Sequence, residues 1–300
     1  MSKRNKKGRD IDGVLILDKA SGHTSNAALQ EVKRLFGANK AGHTGSLDPL
    51  ASGLLPICLG QSTKVAQFLL DDDKRYFVRG KLGEISDTGD SEGEVSEYGP
   101  TIGIDKPTVN NCLKKFIGII SQVPPMYSAL KKNGTPLYKL ARKGLEVERE
   151  SRKISIYEIQ LISLEDNILT LEVSCSKGTY IRTLIEDIGK SLGCGGYVCE
   201  LRRIGFAHLS IAQSITFEEL KDKGFDELDK LLIRSDEMLP NLKSIYLDHD
   251  QSSDINFGRK IKCKSLNIPQ KIKLYDANKR FVGIGESNNL SEVLPKRLFT

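Results

Sequence analysis

One carboxylate, Asp48, stands in the run AGHTGSLDPLASGLLPICLG (41–60) among glycines, prolines and apolar side chains, with no second acid beside it. That is an odd place for a charge. Gly42, Gly45 and Gly53 open backbone conformations closed to other residues. Pro49 drives the residue before it out of the helical region, so Asp48 belongs on an extended, stiffened loop. Leu47, Leu50, Leu54 and Leu55 supply apolar walls. Asp-Pro taken alone is most often a turn whose side chain caps its own backbone.

The 300 residues are enough for one large domain and a small one, and 39% hydrophobic residues can bury a real core. No run approaches the length that spans a bilayer, and the basic N-terminus MSKRNKKGRD has no apolar segment behind it. A cytoplasmic chain without membrane contact is expected. Cys58, Cys112, Cys175, Cys194, Cys199 and Cys263 form no CxxC pair, so reduced structural thiols are expected, with no disulfide framework and no zinc site. Eleven Lys or Arg against six Asp or Glu in residues 241–300 place most of the net charge of +6 at the C-terminal end. Lys3, Arg4, Lys6, Lys7 and Arg9 make the other end basic too, and either end suits a polyanion.

Along the chain, IDGVLILD (11–18) predicts a strand and Ser25 caps a helix closed by Gly37. LLPICLG predicts a buried strand, residues 62–70 a helix begun by Ser62, and KRYFVRGKLGE (74–84) an alternating strand. The acidic turn DTGDSEGE (87–94) lacks the spacing of a calcium loop and is rejected as one. Thr108 starts a further helix. Residues 124–153 are the least core-like part of the main body and hold Asn133-Gly134 as a hairpin signal, Tyr127, Tyr138 and many bases, including Lys131, Lys132 and Arg142. They read as a mobile basic insertion. Strands 154–164 and 168–175 form a hairpin. SKGTY then leads into a helix with Ile181, Leu184, Ile185, Ile188 and Leu192 on one face, ended by Gly193. Arg182 lies in its first turn, where a cation is mildly unfavourable, so a carboxylate from elsewhere is its expected partner. Two strands follow in 196–212, Thr216 to Glu219 make a capping box, and beyond Pro240 short strands and turns indicate a separate β-rich unit.

The segment GHTGSLDPLASGLLPICLGQSTK closely resembles the signature of the TruB-type pseudouridine synthases, and GVLILDKASGHTS, KRYFV, PPMYSALK, KGTYIR and ELRRIG extend the resemblance over nearly the whole chain. It implies an α/β (α+β) fold with a large, mainly antiparallel sheet in residues 1–240, the aspartate loop and the KGTYIR turn meeting over a basic cleft. Residues 241–300, with YD...FVGIGE...LPKRLF, resemble a PUA domain, an RNA-binding module. The implied reaction is isomerisation of a specific T-loop uridine of transfer RNA to pseudouridine, with the 124–153 insertion gripping the loop. It needs no cofactor and no metal, and no obligatory protein partner. The resemblance makes Asp48 the catalytic group, Arg182 its cation, Tyr76 the ring that stacks on the everted uracil, and Tyr180 and Leu201 the lining of the base pocket. His43 is carried over to RNA binding. Lys19 and Lys64 are candidate phosphate contacts.

Two other readings are open to the residues themselves. A module that holds RNA without chemistry would leave Asp48 dispensable. A glycoside hydrolase wants a second carboxylate, for which Glu84, Asp87 and Asp90 are the sequence-near candidates.

Overall fold

A sheet of nine strands carries the main body of the chain in a computed structural model that describes residues 8–263 and 268–299. Seven of them form its path: β1 (Gly13–Lys19), β2 (Ser52–Leu59), β3 (Lys74–Leu82), β4 (Gly118–Gln122), β5 (Arg152–Glu165), β6 (Ile168–Cys175) and β7 (Gly196–Phe206), in spatial order β1-β2-β7-β3-β6-β5-β4. Ala41–His43 adds to β2 and Leu209–Ser210 to β7. All pairings are antiparallel except a two-residue parallel contact between β2 and β7. The sheet is therefore the mainly antiparallel one expected.

Its hydrophobic faces follow the alternation in the chain. On β6, Leu169, Leu171, Val173 and Cys175 are all fully buried, and β3 contributes Val78 and Leu82. Helix α1 (Ser25–Leu35) and helix α2 (Ile181–Leu192) cover the apolar surface with their stripes, and Gly193 ends α2 in the left-handed conformation. Gly80 lets α2 lie close, since a Cβ there would come within 2.7 Å of the Ile185 side chain.

Three local expectations are corrected. Thr24, not Ser25, caps α1 by accepting from the Ala27 N–H, because Ser25 is buried and bonded elsewhere. Residues 62–70 are not one helix but a 3₁₀ turn, Gly60–Lys64, and a short helix, Ala66–Leu69; Ser62 points inward to the Ser235 hydroxyl at 2.6 Å and so caps nothing. The helix expected from Thr108 begins at Lys106, capped by Asp105 with a proline in its first turn.

A second sheet of five strands, Lys243–Tyr246, Ile261–Lys262, Gln270–Tyr275, Phe281–Ser287 and Glu292–Leu298, has its own small core around Leu247, Ile272, Leu274 and Val293. It is not detached from the main body. Ile284 packs with Val14, Leu54 and Phe206, and the Tyr275 hydroxyl donates to Asp236 at 2.8 Å. Lys64, expected as a phosphate contact, spends its ammonium on the Leu298 carbonyl at 2.6 Å. Of the basic N-terminus, Lys3, Arg4, Lys6 and Lys7 lie outside the described residues, while Arg9 is held in an ion pair with Asp229.

The parallel contact fixes where the aspartate loop ends. Gly53 sits opposite Arg203 with φ near +101°, and a Cβ would lie 2.3 Å from the Arg203 carbonyl oxygen. Backbone cannot yield as a side-chain tip can. Gly53→Ala is expected to cost about 3 kcal/mol or more from the clash and the strained φ together. Denaturant unfolding checks it, and a loss under about 1 kcal/mol would show that β2 and β7 part easily.

Candidate active site

Asp48 is held from both sides by the backbone around it. Ser25 both donates to the Leu47 carbonyl (2.9 Å) and accepts from the Leu47 N–H (2.7 Å), so the start of α1 grips the residue before the acid. After it, the Pro49 carbonyl accepts from the Gly22 N–H (2.9 Å) and the Leu50 carbonyl from the Ser21 hydroxyl (2.7 Å). Lys19 lies fully buried beneath, its ammonium pointed at the carbonyls of Ala20 (2.9 Å), His23 (2.6 Å) and Pro49 (3.4 Å). Burial pulls it down to about 8 against the pull of Asp48, so it is still charged at neutral pH. It braces the loop and has no free face for a phosphate, which corrects the role expected for it.

Arg182 meets the acid from the first turn of α2. Its Nη2 stands 3.0 Å from Asp48 Oδ2 and 2.7 Å from the Tyr127 carbonyl; its Nη1 stands 3.1 Å from Asp90 Oδ2 and 2.8 Å from the Thr88 carbonyl. The expected carboxylate partner is present, with its closest approach through Nη2. The guanidinium is shared because a second acid competes for it. Asp90 is 2% exposed, and its other oxygen accepts from Thr88 Oγ1 (2.7 Å) and the Glu92 N–H (3.1 Å). The turn rejected as a calcium loop thus delivers a structural carboxylate to the site. Nothing in its spacing pairs it with a helix ninety residues away; the unexplained cation at the start of α2 was the one available signal.

A cavity of about 840 Å3 opens over these groups, lined among others by His43, Asp48, Asp90, Tyr127, Tyr138 and Arg182. The cleft is not basic as expected. Asp48, Asp87, Asp90, Glu92 and Glu94 outnumber Arg142 and Arg182 along it, and exposed bases such as Lys131 and Lys132 lie on the hairpin of the insertion instead. Asp48, with 42% of its side chain exposed, faces the cavity. Burial raises its pKa, Arg182 opposes the rise, and Asp90 adds to it. Burial lowers His43, helped by the nearby charge of Arg203, so its imidazole is neutral, and its Nδ1 is buried without a partner.

Tyr76, Tyr180 and Leu201 are close by but are not part of the open lining. Tyr76 on β3 lies opposite Arg203 on β7, and Leu201 opposite Val78, so both belong to the sheet that floors the site. Burial raises the Tyr76 phenol while the Arg203 charge draws it back. Arg203, 1% exposed, donates through Nε to the Leu54 carbonyl at 2.7 Å. Tyr180 caps the N-terminus of α2 without a side-chain cap bond. Sequence reasoning missed Arg203 and Gln122, whose amide bonds to Tyr180, and named Asp90 only as a hydrolase carboxylate, not as the partner of Arg182.

Residues 33–181 match the model of the TruB family pseudouridylate synthase N-terminal domain, residues 182–240 that of the tRNA pseudouridylate synthase B C-terminal domain, and 244–299 that of the pseudouridine synthase II TruB C-terminal region. The tRNA pseudouridine synthase B of Haemophilus influenzae (strain 86-028NP) is 48% identical over 305 residues, covering 100% of this chain and 99% of that protein. The chain belongs to the TruB family of pseudouridine synthases. The enzyme of the same name from Vibrio vulnificus (strain YJ016) is 47% identical over 98% of this chain and 97% of its own. Among solved structures, the archaeal box H/ACA sRNP Nop10-Cbf5 complex matches all of this chain and 93% of its own with a TM-score of 0.72 at 21% identity, and a Cbf5-Nop10-Gar1 complex matches 96% and 84% with 0.70 at 24%. These two show that the TruB fold is shared. Membership makes this chain an isomerase that forms pseudouridine. No helix among its described residues is long and apolar enough to cross a membrane.

Proposed function

We propose that this chain converts one T-loop uridine of transfer RNA to pseudouridine, with Asp48 as the catalytic carboxylate and Arg182 holding it ionised and aimed. The observation that carries the reading is the 3.0 Å contact between Arg182 Nη2 and Asp48 Oδ2 at the cavity. The cavity lies within the size range of small-molecule sites, and an everted nucleotide would fill it. The reaction breaks the bond from N1 to the sugar, turns the base and rejoins it through C5, so it needs positioning and one ionised carboxylate. Attack on the sugar, attack on C6 or removal of a proton all ask that of Asp48. Tyr76 stacks on the everted uracil, Tyr180 and Leu201 bound it, and His43 binds RNA as a neutral ring. The 124–153 insertion grips the T loop; its Tyr127, Ser128, Tyr138 and Arg142 already wall the cavity. Residues 1–240 form the catalytic domain and 241–300 a PUA-like RNA-binding domain, and no protein partner is required.

Of the second carboxylates that a hydrolase would need, Asp90 is excluded. Both of its oxygens are engaged and it is buried, so it is not free to activate water as a second carboxylate must. Carbodiimide treatment and primer extension of a transfer RNA transcript exposed to the protein test the proposal. A single modified position in the T loop is expected. Modification elsewhere would sink the substrate, and release of free uracil would sink the isomerase.

A further inference from the structure

Gln122 ends the edge strand β4 and is 2% exposed, and its side-chain amide faces the backbone of one residue. Its Oε1 accepts from the Tyr180 N–H at 2.9 Å and its Nε2 donates to the Tyr180 carbonyl at 3.1 Å. A side chain here makes both bonds that a neighbouring strand would make. The two bonds fall on the residue that begins α2, whose own side chain caps nothing and whose carbonyl also receives the first helical bond, from Leu184 at 3.0 Å. Two residues later comes Arg182, which must meet Asp48, Asp90 and two carbonyls at once. Gln122 also stands at the root of the insertion: it pairs with Arg152 where the chain returns, and Tyr127, whose carbonyl Arg182 binds, lies five residues on.

We propose that Gln122 is a positioning residue for pseudouridine formation: its amide clamps the Tyr180 backbone on both sides of its Cα, and so sets where the first turn of α2 delivers Arg182 and Tyr180. The inference rests on the proposed roles of Asp48 and Arg182. A misplacement of about 1 Å near reacting groups costs on the order of a hundredfold in rate, so a clamp two residues from the cation has a large lever on turnover and a small one on RNA affinity.

The test uses Gln122→Leu and Gln122→Glu in the full chain, with single-turnover rates and filter-binding affinity on a T-arm stem-loop transcript, each as a ratio to the unsubstituted protein. An inactive unsubstituted protein would refute the functional reading, whereas the ratios speak only to Gln122. Gln122→Leu is expected to slow the reaction by about tenfold to a hundredfold with Kd changed by less than about twofold. Gln122→Glu carries the finer readout. Ionised, it turns an oxygen against the Tyr180 carbonyl; protonated, it accepts with one oxygen and donates with the other, as the amide does. Arg152, Asp48 and Arg182 act on the Tyr180 phenol, and all three are common to both proteins. The rate ratio of Gln122→Glu is therefore expected to climb at least about fivefold from about pH 8 to about pH 5.5 as the carboxyl takes up its proton. A folded Gln122→Leu variant with an unchanged rate would overturn the proposal, as would a Gln122→Glu ratio that stays flat with pH. Should Gln122→Leu fail to fold, the pH response of Gln122→Glu decides.

Discussion

Asp48→Asn is expected to lower the single-turnover rate of pseudouridine formation by at least about a thousandfold, roughly 4 kcal/mol of transition-state stabilisation, without weakening the fold. The amide keeps the shape of the side chain and removes the charge. Burial already works against that charge, since it raises the pKa of Asp48 in spite of Arg182. A carboxyl whose folded pKa is raised binds its proton more tightly in the native state, so its ionisation costs stability as pH climbs from the ordinary carboxylate value through the raised one. Asparagine does not pay that cost, and Arg182 is not orphaned because Asp90 still faces it at 3.1 Å. Thermal denaturation at neutral pH should find the variant as stable as its parent or slightly more so. The same shift gives the unsubstituted enzyme its acid limb. In the proposed reaction only ionised Asp48 acts, so the rate should fall as pH drops through the raised pKa, earlier than for an ordinary aspartate. A variant within tenfold of parental activity would remove Asp48 from the chemistry.

Arg182→Met should lose both activity and stability, the opposite pattern. Arg182 is 5% exposed and serves four acceptors, while the side chain of its partner Asp90 is 3% exposed. Removing the cation leaves a buried carboxylate unpaired, which costs about 3–5 kcal/mol. It also deprives Asp48 of the charge that opposes its desolvation, so whatever activity survives should shift to higher pH. The rate is expected to drop by about a thousandfold, since the acid loses its charge and its orientation together. Arg182→Lys keeps one positive charge but not the fork that reaches Thr88 and Asp90 with one nitrogen and Tyr127 and Asp48 with the other, so it should fall between the two. Urea unfolding and a pH–rate profile of both variants check this. An Arg182→Met protein as stable as its parent would mean that Asp90 is satisfied without the cation.

Elements whose signals are local were legible in the chain. The β5–β6 hairpin, helix α2 with its left-handed Gly193 and the Asn133-Gly134 turn all lie where alternation, 3.6-residue spacing and turn chemistry put them. The stiff loop around Asp48 was legible for the same reason: proline and glycine act on their immediate neighbours. The base-pocket role proposed for Tyr180 and Leu201 rests on resemblance alone, since neither carries a pattern of its own that separates it from core.

The acid and the suspicion of a distant partner for Arg182 were thus written in the order of residues. Tertiary structure decided that Asp90 shares this cation, that Lys19 braces the loop from below, that Ser25 holds Leu47 and leaves the capping to Thr24, and that Gln122 grips Tyr180. It also decided that acids outnumber arginines among the charged residues that line the cavity. The pairs Ser25–Leu47, Lys19–Pro49, Gln122–Tyr180 and Asp90–Arg182 stand 22 to 92 positions apart and are brought within 3.4 Å by strand order, and no local periodicity encodes which strand lies beside which.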